Sequence, residues 1–153
     1  MRYFINAGLS LLPAAMDTVE ARAMLYAIGL QESRFEHRKQ INGTARGFWQ
    51  FERNGIQGVM DHRASAAHIA DVIETLKIKP LLEVFVAIAY NDALACALAR
   101  LLLWTLPGSL PKQNESDKGW NQYISAWRPG RPRPETWPDN FRRGWELALT
   151  DKA

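Results

Sequence analysis

The chain of 153 residues is 47% apolar and 23% charged, which fits one folded domain with a single core and excludes a disordered protein. Its formal charge of +3 favours polyanionic partners without choosing among nucleic acid, anionic lipid and the acidic bacterial cell wall. The one cysteine, Cys96, cannot form an internal disulfide, and we expect it to be a small buried hydrophobe. With only three scattered histidines beside it, we expect no metal site and no cofactor.

The pattern along the chain predicts an all-α fold, because no run of alternating residues indicates a sheet. An apolar run at 3–16 faintly resembles a secretory signal, but Asn6, Gly8 and Pro13 interrupt it, so we do not expect export by this route. The first predicted helix opens with a capping box at Asp17 and Glu20 and ends near Phe35, and an ordered glycine-rich loop follows over 37–59, with a short helical turn and room for a small β-hairpin in 40–58. Three helices come next: one from Ala64 or Ser65 to about Lys77, one from Pro80 and one capped by Asp92. The prediction ends with a loop from Pro107 to about Lys118, a short helix at 120–127 and a final helix from about Asn140 to Leu149.

The segment 81–106 is long and apolar enough to be compared with a membrane span. Four polar or charged residues divide it, namely Glu83, Asn91, Asp92 and Arg100. We therefore expect two buried helices that meet near 90–92, and no stable membrane insertion.

The C-terminal part, 107–153, is rich in tryptophan and proline. Its most basic segment, 127–143, holds five arginines, but prolines interrupt it at four places. Such a segment is typical of a solvated loop rather than of a helix for a major groove, so we expect no specific nucleic-acid binding. We expect four tryptophans to pin this extension onto a motif-bearing core at about 17–105, in one domain covering 1–153: Trp120, Trp127, Trp137 and Trp145.

Glu32 lies on an apolar helix. At about 100° per residue, it lies within about 60° of Leu25, Ile28 and Phe35 around the helix axis. Desolvation and the nearby C-terminal end of the helix dipole both raise the pKa of such a carboxyl, which suits a general acid. An ordinary salt bridge is the alternative, with four candidate partners: Arg22, Arg34, Arg38 and Arg46.

Three short motifs follow one another in order: "ES" at 32–33, "GTARGFWQF" at 43–51 and "AYN" at 89–91. Together they resemble the soluble lytic transglycosylase family and, more loosely, goose-type lysozymes and phage endolysins. That family's pattern is "ES" at a helix end, then "S-x-x-G-A-x-G-L-M-Q", then "A-Y-N-A-G".

The resemblance covers roughly 32–92. Ala45, Gly47 and Gln50 match the second motif, and the separation from Glu32 to Gln50, 50 − 32 = 18 residues, matches the family spacing. The departures are Ile41 for Ser, Thr44 for the first Gly, Phe48-Trp49 for Leu-Met and Asp92-Ala93 for Ala-Gly.

The resemblance implies a compact lysozyme-like helical domain that binds peptidoglycan glycan strands. It implies cleavage of the β-1,4 bond between N-acetylmuramic acid (MurNAc) and N-acetylglucosamine (GlcNAc), with Glu32 acting first as general acid and then as base to form 1,6-anhydro-MurNAc ends. It further implies substrate-binding roles for Ser33, Gly47, Gln50, Tyr90 and Asn91.

The matched residues also have physical roles of their own. Gly47 lets backbone come close to a ligand or to the helix of Glu32, Gln50 offers a donor and an acceptor to an amide or hydroxyl of a sugar, and the Tyr90 hydroxyl is able to bond Glu32 or an N-acetyl group. Asn91 is suited to fixing a nearby loop. Packing or loop bracing is the alternative role for each of them.

Other functions remain open at this stage. A lysozyme-type muramidase needs a second carboxylate, for which the candidates are Glu36, Glu52, Asp61 and Asp92. A glycan-binding or phage structural domain with an inert Glu32, and a holin-like membrane role for 81–106, are further alternatives. If the protein is an enzyme, we expect it to be a monomer that acts in the bacterial periplasm or cell wall. It would reach that place through release by a holin or delivery with a phage particle.

Overall fold

A computed structural model describes residues 1–78 and 81–151, apart from the side chains of 81 and 82. Across these ranges the fold is all-α, as predicted. Its eight described α-helices are α1 (Arg2–Leu9), α2 (Val19–Glu32), α3 (Arg53–Asp61), α4 (Ala66–Thr75), α5 (Leu81–Ala87), α6 (Asp92–Trp104), α7 (Ser116–Trp127) and α8 (Trp137–Asp151), with short 3-10 turns at Ala14–Met16 and Pro134–Thr136.

Helix α2 is the central element, since every residue from Ala21 to Gln31 is buried. Its main packing partner is α8, which lies so close that a Cβ on Gly144 would come within 2.5 Å of the Ala23 carbonyl oxygen. The tryptophan-rich extension therefore completes the core instead of merely covering it. Trp137 and Trp145 are buried there, and Trp120 and Trp127 pack partly buried against the same core.

The ends of α2 differ from the prediction. Thr18 caps the helix by accepting a hydrogen bond from the Ala21 N–H at 3.2 Å. The predicted capping box is wrong, because Asp17 pairs with Arg22 at 2.6 Å and Glu20 pairs with Lys112 at 2.8 Å. The helix stops at Glu32 rather than near Phe35, since Arg34 and Phe35 take left-handed φ values of 55° and 58°.

Helices α1 and α6 pack together. Helix α1 was not predicted from the sequence. Its Gly8, which interrupts the apolar run at 3–16, permits the close approach of α1 to α6, because a Cβ on Gly8 would lie 2.4 Å from the Cβ of Cys96. Cys96 is fully buried, as expected.

The long apolar segment 81–106 divides as predicted, into α5 and α6. The cap of α6 is Asn91, which accepts a hydrogen bond from the Leu94 N–H at 3.0 Å. Asp92, the predicted cap, pairs with Arg38 at 2.8 Å instead. The predicted helix start at Pro80 lies outside the described residues. None of the described helices has the length and apolar character needed to cross a membrane.

The glycine-rich loop is more helical than predicted, because 53–61 forms the whole of α3. Instead of a hairpin of strands, the part before α3 has two isolated antiparallel bridges, from Lys39 to Arg46 and from Arg46 to Phe51. Gly47 lies between them with a φ of 74°, where a Cβ would meet the Ile88 carbonyl oxygen at 3.1 Å. The loop therefore packs tightly against the end of α5.

Candidate active site

Glu32, the last residue of α2, lies in a cleft of about 610 Å³. One wall is the loop before α3, which contributes His37, Gln50 and Glu52. The other wall is the segment from Trp127 to Arg133, which follows α7. A helix end that meets two irregular segments leaves a carboxylate reachable from the cleft while its own helix stays buried.

The Glu32 carboxylate is largely desolvated, and this burial raises its pKa from 4.5 to about 6. Two smaller effects act the other way: the Tyr123 hydroxyl donates a hydrogen bond to Oε1 at 2.6 Å, and Arg133 contributes a positive charge. The raised pKa agrees with the sequence-based expectation. The salt-bridge alternative is wrong, because Glu32 has no direct ion pair with any described residue.

Tyr123 is the site residue that sequence reasoning missed. It lies on α7, and its ring stacks on Trp137 of α8 with centroids 5.2 Å apart and an interplanar angle of 8°. On the same helix, the Trp127 indole donates to the Trp49 carbonyl oxygen at 2.8 Å. The only signal was the spacing of three aromatic residues at 120, 123 and 127, which indicates packing but not a polar partner.

Hydrogen bonds between Gln31 and three residues, Arg133, Thr136 and Asn140, hold the second wall of the cleft against α2, and we call this group of hydrogen bonds the clasp. The Gln31 amide donates to the Arg133 carbonyl oxygen at 2.9 Å, and the Arg133 guanidinium donates to the Gln31 carbonyl oxygen. Thr136 and Asn140 both donate to the other side-chain atom of Gln31, Oε1, at 3.0 and 2.8 Å. The clasp fixes the positive charge of Arg133 beside Glu32.

Two of the predicted substrate-binding residues, Ser33 and Gln50, line the cleft. The Ser33 hydroxyl donates to the Phe48 carbonyl oxygen at 2.7 Å and accepts from the Phe35 N–H at 3.1 Å, so it braces the helix end against the loop. The Gln50 amide nitrogen donates to the carbonyl oxygen of Gly47 at 2.8 Å. Gly47 is buried and shapes the wall without lining the cleft.

The other two predicted residues lie apart from Glu32. Tyr90 is 72% exposed, does not line the cleft, and accepts a hydrogen bond from the Lys39 ammonium at 2.6 Å. Its predicted hydrogen bond to Glu32 is wrong, since Tyr123 makes that bond. Asn91 likewise does not line the cleft, and its side chain caps α6.

Of the four candidates for a second carboxylate, one shares the cleft with Glu32. This is Glu52, whose carboxylate accepts the hydrogen bond of the Thr44 hydroxyl, with its two oxygens at 2.9 and 2.8 Å. Glu36 lines a separate pocket, and neither Asp61 nor Asp92 lines the Glu32 cleft. Within the described ranges, no three His, Cys, Asp or Glu side chains are grouped so that they could hold a metal ion.

Comparisons with protein-family models, with curated proteins and with solved structures found no match for this chain. A function is therefore best inferred from the chemistry of the cleft, because a helical fold alone does not determine one.

Proposed function

We propose that this protein is a peptidoglycan lytic transglycosylase that cleaves the β-1,4 bond between MurNAc and GlcNAc. The observation that carries the proposal is Glu32, a desolvated carboxyl with a pKa of about 6 that opens into a cleft. Such a group holds its proton in about a tenth of the molecules at pH 7 and in half of them at pH 6. The "ES", "GTARGFWQF" and "AYN" motifs, which resemble the soluble lytic transglycosylase family, also support the proposal.

In the first step, protonated Glu32 donates its proton to the glycosidic oxygen while the bond from that oxygen to C1 of MurNAc breaks. The leaving GlcNAc keeps the oxygen as its 4-hydroxyl. Glu32 is now ionised, and the Tyr123 hydroxyl, 2.6 Å away, stabilises the negative charge.

In the second step, Glu32 takes the proton of the C6 hydroxyl of the same MurNAc. The freed oxygen bonds to C1 and closes the 1,6-anhydro ring, which leaves Glu32 protonated for the next cycle. No water is consumed, so one carboxylate is enough for both steps.

A muramidase is the second candidate, and the position of Glu52 favours it. Glu52 lines the same cleft and is held by Thr44, so it could direct a water to C1 as the second carboxylate of an ordinary glycosidase. The products would then carry an added water, about 18 Da more than anhydro products.

The test compares the wild type with Glu32→Gln and Glu52→Gln on purified peptidoglycan, with released muropeptides weighed by mass spectrometry. The proposal predicts anhydro products from the wild type and Glu52→Gln, and none from Glu32→Gln. Hydrated products that disappear in Glu52→Gln would establish the muramidase instead. Binding to the sacculi without release by any of the three proteins would indicate a glycan-binding or phage structural domain.

A further inference from the structure

Three arginines line the cleft, and all of them belong to the wall formed by residues 127–133. Arg133 is committed to the clasp with Gln31. Arg131 is exposed and has no hydrogen-bond or ion-pair partner among the described residues. Arg128 makes one long contact, from Nε to the Ser125 carbonyl oxygen at 3.4 Å. Two guanidinium groups in the cleft that holds Glu32 are thus available to bind something else.

The segment that carries these two arginines is fixed at both ends. The Trp127 indole holds one end through its 2.8 Å hydrogen bond to the Trp49 carbonyl oxygen, and the clasp between Gln31 and Arg133 holds the other. Two prolines restrict the few residues between them. Because this backbone is already ordered, a ligand that binds the arginines does not have to order it, which lowers the entropic cost of binding.

The charges across the cleft are unequal. The opposite wall carries the carboxylate of Glu52, whereas the wall of Arg128 and Arg131 carries only positive charge. Guanidinium groups bind carboxylates through two parallel hydrogen bonds, in a geometry that the ammonium group of lysine does not reproduce. The ligand that suits this wall is therefore a carboxylate presented by the strand lying over Glu32.

We propose that Arg128 and Arg131 bind a carboxylate on the lactyl substituent of MurNAc, and so select anionic glycan strands over neutral ones such as chitin. This inference rests on the proposed substrate. The lactyl group ends in its own carboxylate where no peptide is attached, and in the carboxylates of the stem peptide where one is. Both sources offer the same chemistry to the arginines.

The test measures kcat and KM of Arg131→Gln, of the double variant Arg128→Gln with Arg131→Gln, and of Arg131→Lys, on soluble strands. Three substrates are used: strands with stems, strands stripped of stems by an amidase, and neutral GlcNAc oligomers. Arg63→Gln is the matched control, because it removes the same charge. Arg63 is also exposed, and it lies outside the cleft.

On strands with stems, Arg131→Gln is expected to lower kcat/KM by about tenfold, mostly through a higher KM, because it removes binding rather than proton transfer. The double variant should lose more activity, Arg131→Lys should recover part of it, and Arg63→Gln should match the wild type. If the loss disappears on stripped strands, the stem carboxylates are the ligand. If it persists there, the free lactyl carboxylate takes the place of the stem carboxylates, and the arginines accept both sources.

Equal activity of Arg131→Gln and Arg63→Gln on every strand would overturn the inference while leaving the proposed function standing. A second measurement covers the case in which the wild type does not cut peptidoglycan and the proposed function fails. It compares the binding of sacculi by Glu32→Gln with that by the double variant Glu32→Gln with Arg131→Gln. Arg131-dependent binding by a protein whose wild type never cuts would keep the carboxylate site and reject the enzyme. Binding that does not depend on Arg131, without cutting, would reject both.

Discussion

Replacing Glu32 by glutamine should make the protein more stable at neutral pH. Burial raises the pKa of Glu32 from 4.5 to about 6, so the folded state disfavours its charged form. Below pH 4.5 both the folded and the unfolded chain hold the proton, and there is no cost. Between pH 4.5 and 6 the cost grows, and above pH 6 it is complete. The difference of about 1.5 between the two pKa values corresponds to about 2 kcal/mol.

Glutamine does not titrate, and its carbonyl oxygen is able to accept the hydrogen bond of Tyr123. The free energy of unfolding of Glu32→Gln, relative to the wild type, should therefore rise by about 2 kcal/mol between pH 4 and pH 7.5. Urea unfolding followed by tryptophan fluorescence measures this difference at pH 4.0, 5.2 and 7.5. Glu52→Gln, which removes an exposed carboxylate from the same cleft, is the control. A difference for Glu32→Gln that stays constant across this range would refute the claim that the fold penalises the ionised carboxylate.

Three further changes test the surroundings of Glu32 and the packing behind it. Tyr123→Phe removes a hydrogen bond that lowers the pKa of Glu32, so the fall of kcat at rising pH should move to higher pH; an unchanged pH profile would contradict this. Gly144→Ala places a Cβ 2.5 Å from the Ala23 carbonyl oxygen, forces α8 away from α2 and should cost about 3 kcal/mol in urea unfolding. Gly58→Ala, in α3 with nothing within 4 Å of the new Cβ, should instead stabilise by about 0.5–1 kcal/mol, so a loss of stability there would be unexpected.

The local part of the site was predictable from the sequence. A helix that is apolar nearly all round, with one carboxyl near its C-terminal end, is visible in the sequence, and desolvation of Glu32 follows from it. The division of 81–106 into two helices was predictable for the same reason, because polar residues interrupt an otherwise apolar run. Both features depend on residues close together in the chain.

The long-range part of the site was not predictable. Tyr123 lies 91 residues from Glu32, and Arg133 lies 102 residues from Gln31. Periodicity indicates which face of a helix is buried but not which residue of another helix meets it. The "AYN" motif therefore favoured Tyr90 as a partner of Glu32, and no motif indicated Tyr123. Helix α1 was missed for a similar reason, since Gly8 was interpreted only as an interruption of the apolar run at 3–16, whereas it permits the close contact of α1 with Cys96.

In the proposed mechanism, Glu32 cleaves the glycan without consuming water. The most direct test is digestion of peptidoglycan in water enriched in ¹⁸O, with the wild type and Glu32→Gln, followed by mass spectrometry of the MurNAc ends. We expect anhydro ends without ¹⁸O from the wild type, and no cleavage by Glu32→Gln. Ends that carry ¹⁸O, about 2 Da heavier than ordinary hydrated ends, would show hydrolysis and contradict it, as would anhydro ends released equally well by Glu32→Gln.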